Sequence, residues 1–161
     1  MTHLTAAYNL ARWLLRNETE AEDAVQDAYL RAFEGFKTFR GGDGRGWFLT
    51  IVRNCCYDRL RRKTTFGNHS ALDDDMQISD CGPSPESSLL HHERRAQIDT
   101  ALLMLSPSLR EVLVLREVEE MSYSQIAQVI GTPVGTVMSR LNRARRHLQQ
   151  KFGAVAQANA S

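Results

Sequence analysis

The side chains in this sequence best suited to a chemical task are the basic ones near its C-terminal end. Residues 134–152 hold five of them and no acidic residue. They are Arg140, Arg143, Arg145, Arg146 and Lys151. Guanidinium groups bind phosphate and can donate two hydrogen bonds to guanine, so a helix with this face could lie in the DNA major groove. The alternative is a solvated basic face on a terminal helix, and the arginines alone do not decide between the two.

The residues around the start of this basic segment fit a helix-turn-helix. Ser122 is suited to cap a short helix ending at Ile130, and Gly131 allows a left-handed turn. Pro133 then fits the first turn of a helix over residues 133–152, where its missing N–H costs nothing. The positions expected to face the core are Ile126, Ala127, Ile130, Val134, Val137 and Leu141. The positions expected to face outward are Thr136, Ser139, Arg140, Arg143 and Arg146. The turn beside the arginines favours DNA contact over a solvated face.

A second candidate nucleic-acid surface lies on a helix predicted over residues 47–63. Its broad apolar face includes Phe48, Val52 and Cys55, which leaves one narrow polar stripe. That stripe carries Arg53, Asn54, Tyr57 and Arg61. Bases stack on aromatic rings while guanidinium groups hold phosphates, so the stripe suits single-stranded or melted nucleic acid. An ordinary exposed helix face is the alternative.

The residues just before this helix are unusually rich in glycine. Four of the six residues from 41 to 46 are glycines, and Arg40 and Arg45 supply basic charge at the edges. We predict a loop over residues 40–46, because so many glycines do not form a stable helix.

The elements that position these surfaces are all predicted to be helices. We expect further helices over residues 4–15, 21–36, 86–105 and 108–118. The helix over residues 21–36 is expected to start with a capping box formed by Thr19 and Glu22. Its apolar stripe consists of Ala24, Val25, Ala28, Tyr29, Ala32 and Phe33.

The segment over residues 64–88 has no helical stripe and reads as a flexible acidic linker. It contains three consecutive aspartates at residues 73–75, which either mimic nucleic-acid charge or only make the tether soluble. The sequence therefore predicts an all-α fold of two small domains. The expected divisions are a first domain at 1–63, the linker at 64–88, a second domain at 89–153 and a tail at 154–161.

The charge balance agrees with this division. The 161 residues carry a net charge of +1, which conceals +3 over residues 1–63, −4 over residues 64–96 and +2 over residues 97–161. Two basic ends therefore flank an acidic middle, and this arrangement suits a protein that contacts nucleic acid at both ends.

Several other classes of protein are disfavoured by the composition. Cys55, Cys56 and Cys81 are odd in number and lack C-x-x-C spacing, so we expect reduced thiols without a disulfide or zinc. The adjacent His91 and His92 point to different helix faces, so no metal is expected. No apolar run reaches the ~20 residues of a membrane span, and no signal peptide is apparent, so we expect a cytoplasmic protein. No motif calls for an enzyme or a cofactor.

Several motifs, in order, resemble bacterial RNA polymerase sigma factors. Their second conserved region is resembled by EDAVQDAYLRAF at 22–33, FRG at 39–41, WFLTIVRN at 47–54 and DRLRR at 58–62. Their fourth region is resembled by LSPSLREVLVLR at 105–116 and by the helix-turn-helix. With only these two regions and a short linker, the chain resembles the extracytoplasmic-function class.

The resemblance implies three sets of functional residues. The clamp helices of the largest polymerase subunit would be bound by Asp23, Gln26, Asp27, Leu30, Arg31 and Glu34. The melted −10 element would be bound by Arg40, Gly41, Gly42, Asp43, Arg45, Arg53, Asn54, Tyr57, Arg61 and Arg62, with one flipped base held by the loop. The duplex −35 element would be bound by Thr132, Thr136, Ser139, Arg140, Arg143 and Arg146.

The resemblance also implies partners and a mode of control. The second domain would meet the flap of the second-largest polymerase subunit. An anti-sigma factor, which could itself be membrane-bound, would hold the free chain. The alternative is a sigma-like decoy that binds an anti-sigma factor without touching DNA; such a decoy should lose the arginines of the reading helix. Met138 stands where some relatives carry an arginine, so the −35 sequence itself does not carry over.

Overall fold

The structure, a computed structural model, describes residues 2–66 and 99–158. Within these two ranges every regular element is helical, which confirms the prediction of an all-α fold with two helical domains. The expectations for the linker beyond residue 66, its three aspartates, Cys81, His91 and His92 concern residues outside these ranges. So do those for residues 86–98 of the predicted helix 86–105 and for the end of the tail.

The first domain is a bundle of three helices. These are α1 (Thr2–Leu15), α2 (Glu18–Gly35) and α3 (Gly44–Phe66), and a 3₁₀ turn (Phe36–Thr38) follows α2. Each of the three helices packs against the other two. The side chains buried at their centre include Leu10, Leu14, Ala24, Ala28, Leu49 and Val52.

The starts of α2 and α3 differ from the predictions. Asn17, not Thr19, caps α2, and its side-chain oxygen accepts a hydrogen bond of 2.9 Å from the backbone N–H of Glu20. Because Thr19 already lies inside the helix, the predicted capping box was wrong. Gly44 and Gly46 belong to α3, since Asp43 Oδ1 accepts a bond of 3.0 Å from the N–H of Gly46 and so satisfies the first turn. The predicted loop is therefore shorter.

The apolar stripe predicted on α2 is only partly a core face. Ala24, Val25 and Ala28 are buried, but Tyr29 is 47% exposed and Phe33 is 85% exposed. The Tyr29 ring packs against Phe48 with centroids 4.9 Å apart, so it marks the edge of the core. Beyond that edge, no other helix within residues 2–66 and 99–158 covers the apolar face of α2.

The second domain begins, within the described residues, with a helical segment at 99–103 (α4). It continues with α5 (Pro107–Leu113), α6 (Tyr123–Ile130) and α7 (Val134–Ala158). The single helix predicted over residues 108–118 instead changes to a π-helical turn at Val114–Val118. In a π-helical turn the backbone N–H donates to the carbonyl five residues earlier in the chain. Here the N–H of Glu119 donates to the carbonyl of Val114 over 3.1 Å.

A buried arginine joins the two domains. The Arg110 side chain is fully buried and donates hydrogen bonds to the backbone carbonyls of Leu102, Leu103 and Leu105. Its Nη1 also donates to the carbonyl of Trp13 near the end of α1, at 2.7 Å. Burial lowers the pKa of Arg110 to about 10. One guanidinium therefore binds backbone carbonyls near helix ends in both domains.

The domains also meet through their helices. In the described part of the chain, α5 packs against α1, and α6 of the helix-turn-helix packs against α3. The buried apolar side chains of the two domains form one continuous cluster. The structure is thus a closed arrangement, with α3 turned toward the second domain.

The two adjacent cysteines of α3 give a first testable expectation. Cys55 and Cys56 are buried, and burial raises the pKa of both thiols, that of Cys56 to about 12. At pH 8 only about one part in 10⁴ of Cys56 is thiolate, the reactive form. In a Cys81→Ser background, we expect iodoacetamide to leave both thiols unmodified while it alkylates the same protein in urea. Mass spectrometry counts the adducts, and equal rates in the two conditions would contradict the buried placement.

Candidate nucleic-acid interface

The helix-turn-helix is built from local signals that the sequence displays. Ser122 caps α6 in a capping box with Gln125, and Gly131 ends it in the left-handed conformation, at φ 68°. In α7, Val137 is 0% and Leu141 is 1% exposed, so these two side chains anchor the helix as predicted. Val134 was wrongly placed in the core.

Two glycines of this unit should respond oppositely to alanine. At Gly131 a side chain is strained by the positive φ, so Gly131→Ala is expected to lower the free energy of unfolding by about 1 kcal/mol. At Gly135 an added Cβ meets nothing within 4 Å, so Gly135→Ala should raise it by about 0.5 kcal/mol. Urea unfolding measures both, and changes of the same sign would argue against this turn.

The residues predicted to read duplex DNA are not equally accessible. Ser139, Arg143 and Arg146 are exposed on α7, while Thr136 is partly buried. Arg140 is also partly buried, and its Nη1 lies 3.8 Å from Glu111 Oε1. Thr132 lies at the turn, and its Oγ1 is buried without a hydrogen-bond partner. The exposed part of the predicted set is therefore the face centred on Ser139 and Arg146.

The polar stripe predicted on α3 is divided by the second domain. Asn54 and Arg61 are exposed, but Arg53 lies across the domain contact. Arg53 Nε and Nη2 donate to the Glu111 carboxylate over 2.7 and 3.1 Å, and its guanidinium lies 4.5 Å from the centre of the Tyr57 ring. In this closed arrangement only part of the stripe can meet nucleic acid.

Glu111 is the carboxylate at the centre of this contact. Its side chain is fully buried and faces Arg53 from the first domain and Arg140 from α7. Burial raises the pKa of Glu111, and the hydrogen bonds from Arg53 only partly offset that effect. Burial likewise raises the pKa of Tyr57, and the neighbouring Glu111 charge adds to it. Sequence reasoning missed Glu111, because nothing in its own helix indicates partners so distant in the chain.

The glycine-rich loop borders a cavity of about 340 Å³. Gly41 and Gly42 have φ values of 84° and 105°, which side chains rarely adopt, so the loop depends on glycine at both positions. The walls include Phe39 and Trp47, whose ring centroids are 4.8 Å apart. Gln128 of α6 also lines the cavity, which places the second domain at its edge.

Arg45, beside this loop, is also engaged by the second domain. Its Nη2 donates to a Glu119 carboxylate oxygen over 2.6 Å and to the Glu119 backbone carbonyl over 3.0 Å. Asn9 of α1 donates to the other carboxylate oxygen of Glu119, at 3.0 Å. The two carboxylates Glu111 and Glu119 thus hold two arginines that were predicted to bind the melted strand.

The exposed side of α2 combines charged and apolar groups. Of the residues predicted to bind the clamp helices, Asp23, Gln26 and Glu34 are exposed. Asp27 and Arg31 form ion pairs with α3, to Arg59 and Asp58 respectively. The large exposed apolar side chains of this face are Leu30 at 66%, Phe33 at 85% and Phe36 at 66%. Sequence reasoning included Leu30 and missed both phenylalanines, whose helical spacing resembles that of a core.

Comparison with known proteins identifies the family. A family model described as Sigma-70 region 2 matches residues 1–66, and one described as Sigma-70, region 4 matches residues 95–148. The ECF RNA polymerase sigma factor SigW of Bacillus subtilis is 30% identical, over 90% of this chain and 82% of SigW. The ECF RNA polymerase sigma factor SigE of Mycolicibacterium smegmatis is 32% identical over 91% of this chain, which spans 57% of SigE.

A solved structure extends the likeness to the three-dimensional fold. The sigma factor RpoE of Bartonella quintana, in complex with the anti-sigma factor NepR, matches with a TM-score of 0.73 and 28% identity. The match covers 94% of this chain and 92% of that one. The chain belongs to the extracytoplasmic-function (ECF) class of RNA polymerase sigma factors. Members of this class are DNA-binding initiation factors that act with core RNA polymerase, and they are not enzymes. Across residues 2–66 and 99–158, no helix has the length and apolar character of a membrane span.

Proposed function

We propose that this chain binds core RNA polymerase and directs it to promoters that it reads at two elements. The proposal rests on the two faces of α7. On one face, Val137 and Leu141 are buried in the core. The opposite face exposes Ser139 and Arg146, and no acidic residue occurs along residues 134–158. Such a helix suits the major groove of a duplex −35 element, where arginine can bind both phosphates and guanine.

The chain divides by function into the parts expected from its sequence. Residues 1–63 would bind polymerase and the −10 element, residues 64–88 would connect, and residues 89–153 would bind the −35 element, followed by a tail at 154–161. α3 continues to Phe66, three residues past the expected division. The functions proposed for the first and second domains follow from the surfaces that they expose.

The first domain would hold the −10 element as separated strands. The cavity beside the glycine-rich loop has two aromatic rings in its wall, Phe39 and Trp47, and aromatic side chains stack on unpaired bases. Apart from Gln128, its lining residues belong to the first domain, so most of the wall would remain when the domains separate and could hold a single flipped base. Arg40, Arg61 and Arg62 are exposed and supply positive charge for the backbone.

Promoter binding would require the two domains to separate. Arg45 and Arg53 already hold the Glu119 and Glu111 carboxylates, so each can bind a DNA phosphate only after releasing its present partner. The packing of α6 against α3 also places protein over part of the predicted stripe. We propose that docking on polymerase supplies the free energy for this separation, since docking holds the domains at separate sites.

The exposed apolar face of α2 would be the main docking surface for polymerase. Leu30 and Phe33 lie on it, with Gln26 and Glu34 on the polar flanks. Large apolar side chains surrounded by polar groups are typical of protein interfaces. The clamp helices of the largest subunit would cover this face, and the flap of the second-largest subunit would contact the second domain.

An anti-sigma factor would control the free chain. The structurally similar RpoE is bound by the anti-sigma factor NepR, and the match extends over nearly the whole of both sigma chains. A protein that stabilises the closed arrangement would keep Arg45 and Arg53 from DNA. The chain would act in the cytoplasm, at the nucleoid when bound to polymerase, and a membrane-bound anti-sigma factor would hold it at the membrane. The exposed arginines of α7 argue against a decoy that binds only an anti-sigma factor.

The test is transcription by the reconstituted holoenzyme. Core RNA polymerase with this chain should select genomic fragments and initiate from them, and Arg146→Ala should reduce run-off product about ten-fold. Lys151→Ala removes the same charge farther along α7 and serves as the matched control, with little change expected. Failure to bind core polymerase would refute the proposal, and equal activity of Arg146→Ala and wild type would refute the assignment of the reading helix.

A further inference from the structure

Two apolar side chains are exposed in the first two turns of α7. Val134 is 41% exposed and Met138 is 47% exposed. The side chains that anchor the same helix, among them Val137 and Leu141, are at most 1% exposed. Single exposed apolar residues are common, but these two are neighbours one turn apart at the start of the helix. The exposed parts of these two side chains therefore form a small apolar surface that no other described residue covers.

The neighbours of this pair place it beside the polar reading face. Positions four residues apart follow one another along a helix surface. The row that starts with this pair consists of Val134, Met138, Asn142 and Arg146. Next to it, Gly135 has no side chain, and an added Cβ would meet only open space. The first two turns of α7 can thus approach another surface closely, with apolar groups leading and polar groups following.

The major groove offers few apolar groups for such a pair to contact. Among the four base pairs, the C5-methyl of thymine is the apolar group on the groove edge, and the N-terminal residues of a reading helix reach the base edges. We infer that Val134 and Met138 contact thymine methyl groups in the −35 duplex and make this sigma factor select thymine there. The inference rests on the proposed function and adds two residues that determine specificity.

The helix geometry sets the spacing between the two thymines. Four residues of α-helix advance about 6 Å, and successive base pairs are about 3.4 Å apart. With the helix lying along the groove, the contacted methyl groups fall about two base-pair steps apart. They can lie on either strand, because both strands show their thymine methyls in the same groove. Arg146, two turns beyond Met138, provides the adjacent phosphate contact.

The experiment removes one methyl group at a time. Fragments are first selected with the reconstituted holoenzyme, and each thymine of the selected −35 element is then replaced by deoxyuridine, which differs only by the C5-methyl. Wild-type holoenzyme should lose affinity about three- to five-fold at one or two of these positions, the value of one buried methyl. Holoenzyme with Met138→Ala should no longer respond to deoxyuridine at one of these positions, and holoenzyme with Val134→Ala should no longer respond at the other. Combining each protein variant with each deoxyuridine substitution gives a double-mutant cycle that isolates the contact. Met104→Ala, which removes a methionine that is 60% exposed outside α7, should keep both responses.

The outcomes separate this inference from the proposed function. If wild-type holoenzyme selects no fragments, the proposed function fails and this inference fails with it. If it selects fragments that depend on Arg146, but deoxyuridine has the same effect on wild type and Met138→Ala, only the thymine contact is overturned. Loss of sensitivity in both alanine variants, with Met104→Ala unchanged, supports the inference.

Discussion

Replacing Glu111 by glutamine is expected to lower the free energy of unfolding by about 3 kcal/mol. The Glu111 side chain is fully buried and receives two hydrogen bonds from Arg53, with Arg140 nearby. Glutamine keeps the shape but removes the charge, so two guanidinium groups are left without their counter-charge in a poorly solvated contact. Removing one partner of a buried pair typically costs ~3–5 kcal/mol, and the partial exposure of Arg53 places the expectation at the low end. Urea denaturation of the full chain measures the change.

The matched control for Glu111 is Glu117. It forms an ion pair with Arg145 of similar length, 2.7 Å, but the two side chains are 53% and 43% exposed. Exposed pairs contribute less than about 1 kcal/mol because water screens them, so Glu117→Gln should have little effect. If both substitutions changed stability equally, burial would not be the reason for the importance of Glu111.

The second large effect is expected at the exposed face of α2. The double variant Leu30→Ser, Phe33→Ser should reduce the affinity for core RNA polymerase at least about 100-fold, because large apolar side chains at an interface centre carry most of its binding energy. These side chains are 66% and 85% exposed, so their loss should leave the unfolding free energy almost unchanged. Titration of labelled sigma factor with core polymerase measures the affinity.

A single serine at Leu4 provides the control for this double variant. Leu4 is 49% exposed but lies on α1, so Leu4→Ser removes exposed apolar area outside both proposed polymerase contacts. It should bind polymerase like the wild type. Normal affinity of the double variant, with normal folding, would assign the apolar face of α2 to another partner.

The helix-turn-helix was predictable because its signals are local. Ser122 caps a helix by bonding to a residue three positions away, and Gly131 takes a conformation that side chains disfavour. The same kind of short-range chemistry misled the prediction at α2, since Thr19 and Asn17 are both plausible caps. Only the backbone path determines which of them lies at the helix start.

The domain contact could not be predicted, because its pairs are far apart in the chain. Arg53 and Glu111 are 58 positions apart, and Arg45 and Glu119 are 74 positions apart. A helical wheel correctly separated the apolar and polar faces of α3, but it could not tell a polar face in water from one that meets a carboxylate. Phe33 shows the opposite error, because it was placed on an apolar stripe but is exposed. Helical spacing does not distinguish a core within one chain from a surface that a second protein covers.

The ion pair between Arg45 and Glu119 has a consequence for the ionic conditions under which this sigma factor works. Arg45 is 32% exposed but Glu119 is only 7% exposed, and salt screens partly buried pairs much less than exposed ones. Added salt weakens protein–DNA contacts strongly, because bound cations return to the phosphates. Rising salt should therefore favour the Glu119 carboxylate over a DNA phosphate as the partner of Arg45. Promoter occupancy should then fall more steeply with salt than the number of DNA-contacting arginines alone would suggest, because the closed arrangement outlasts the DNA contacts.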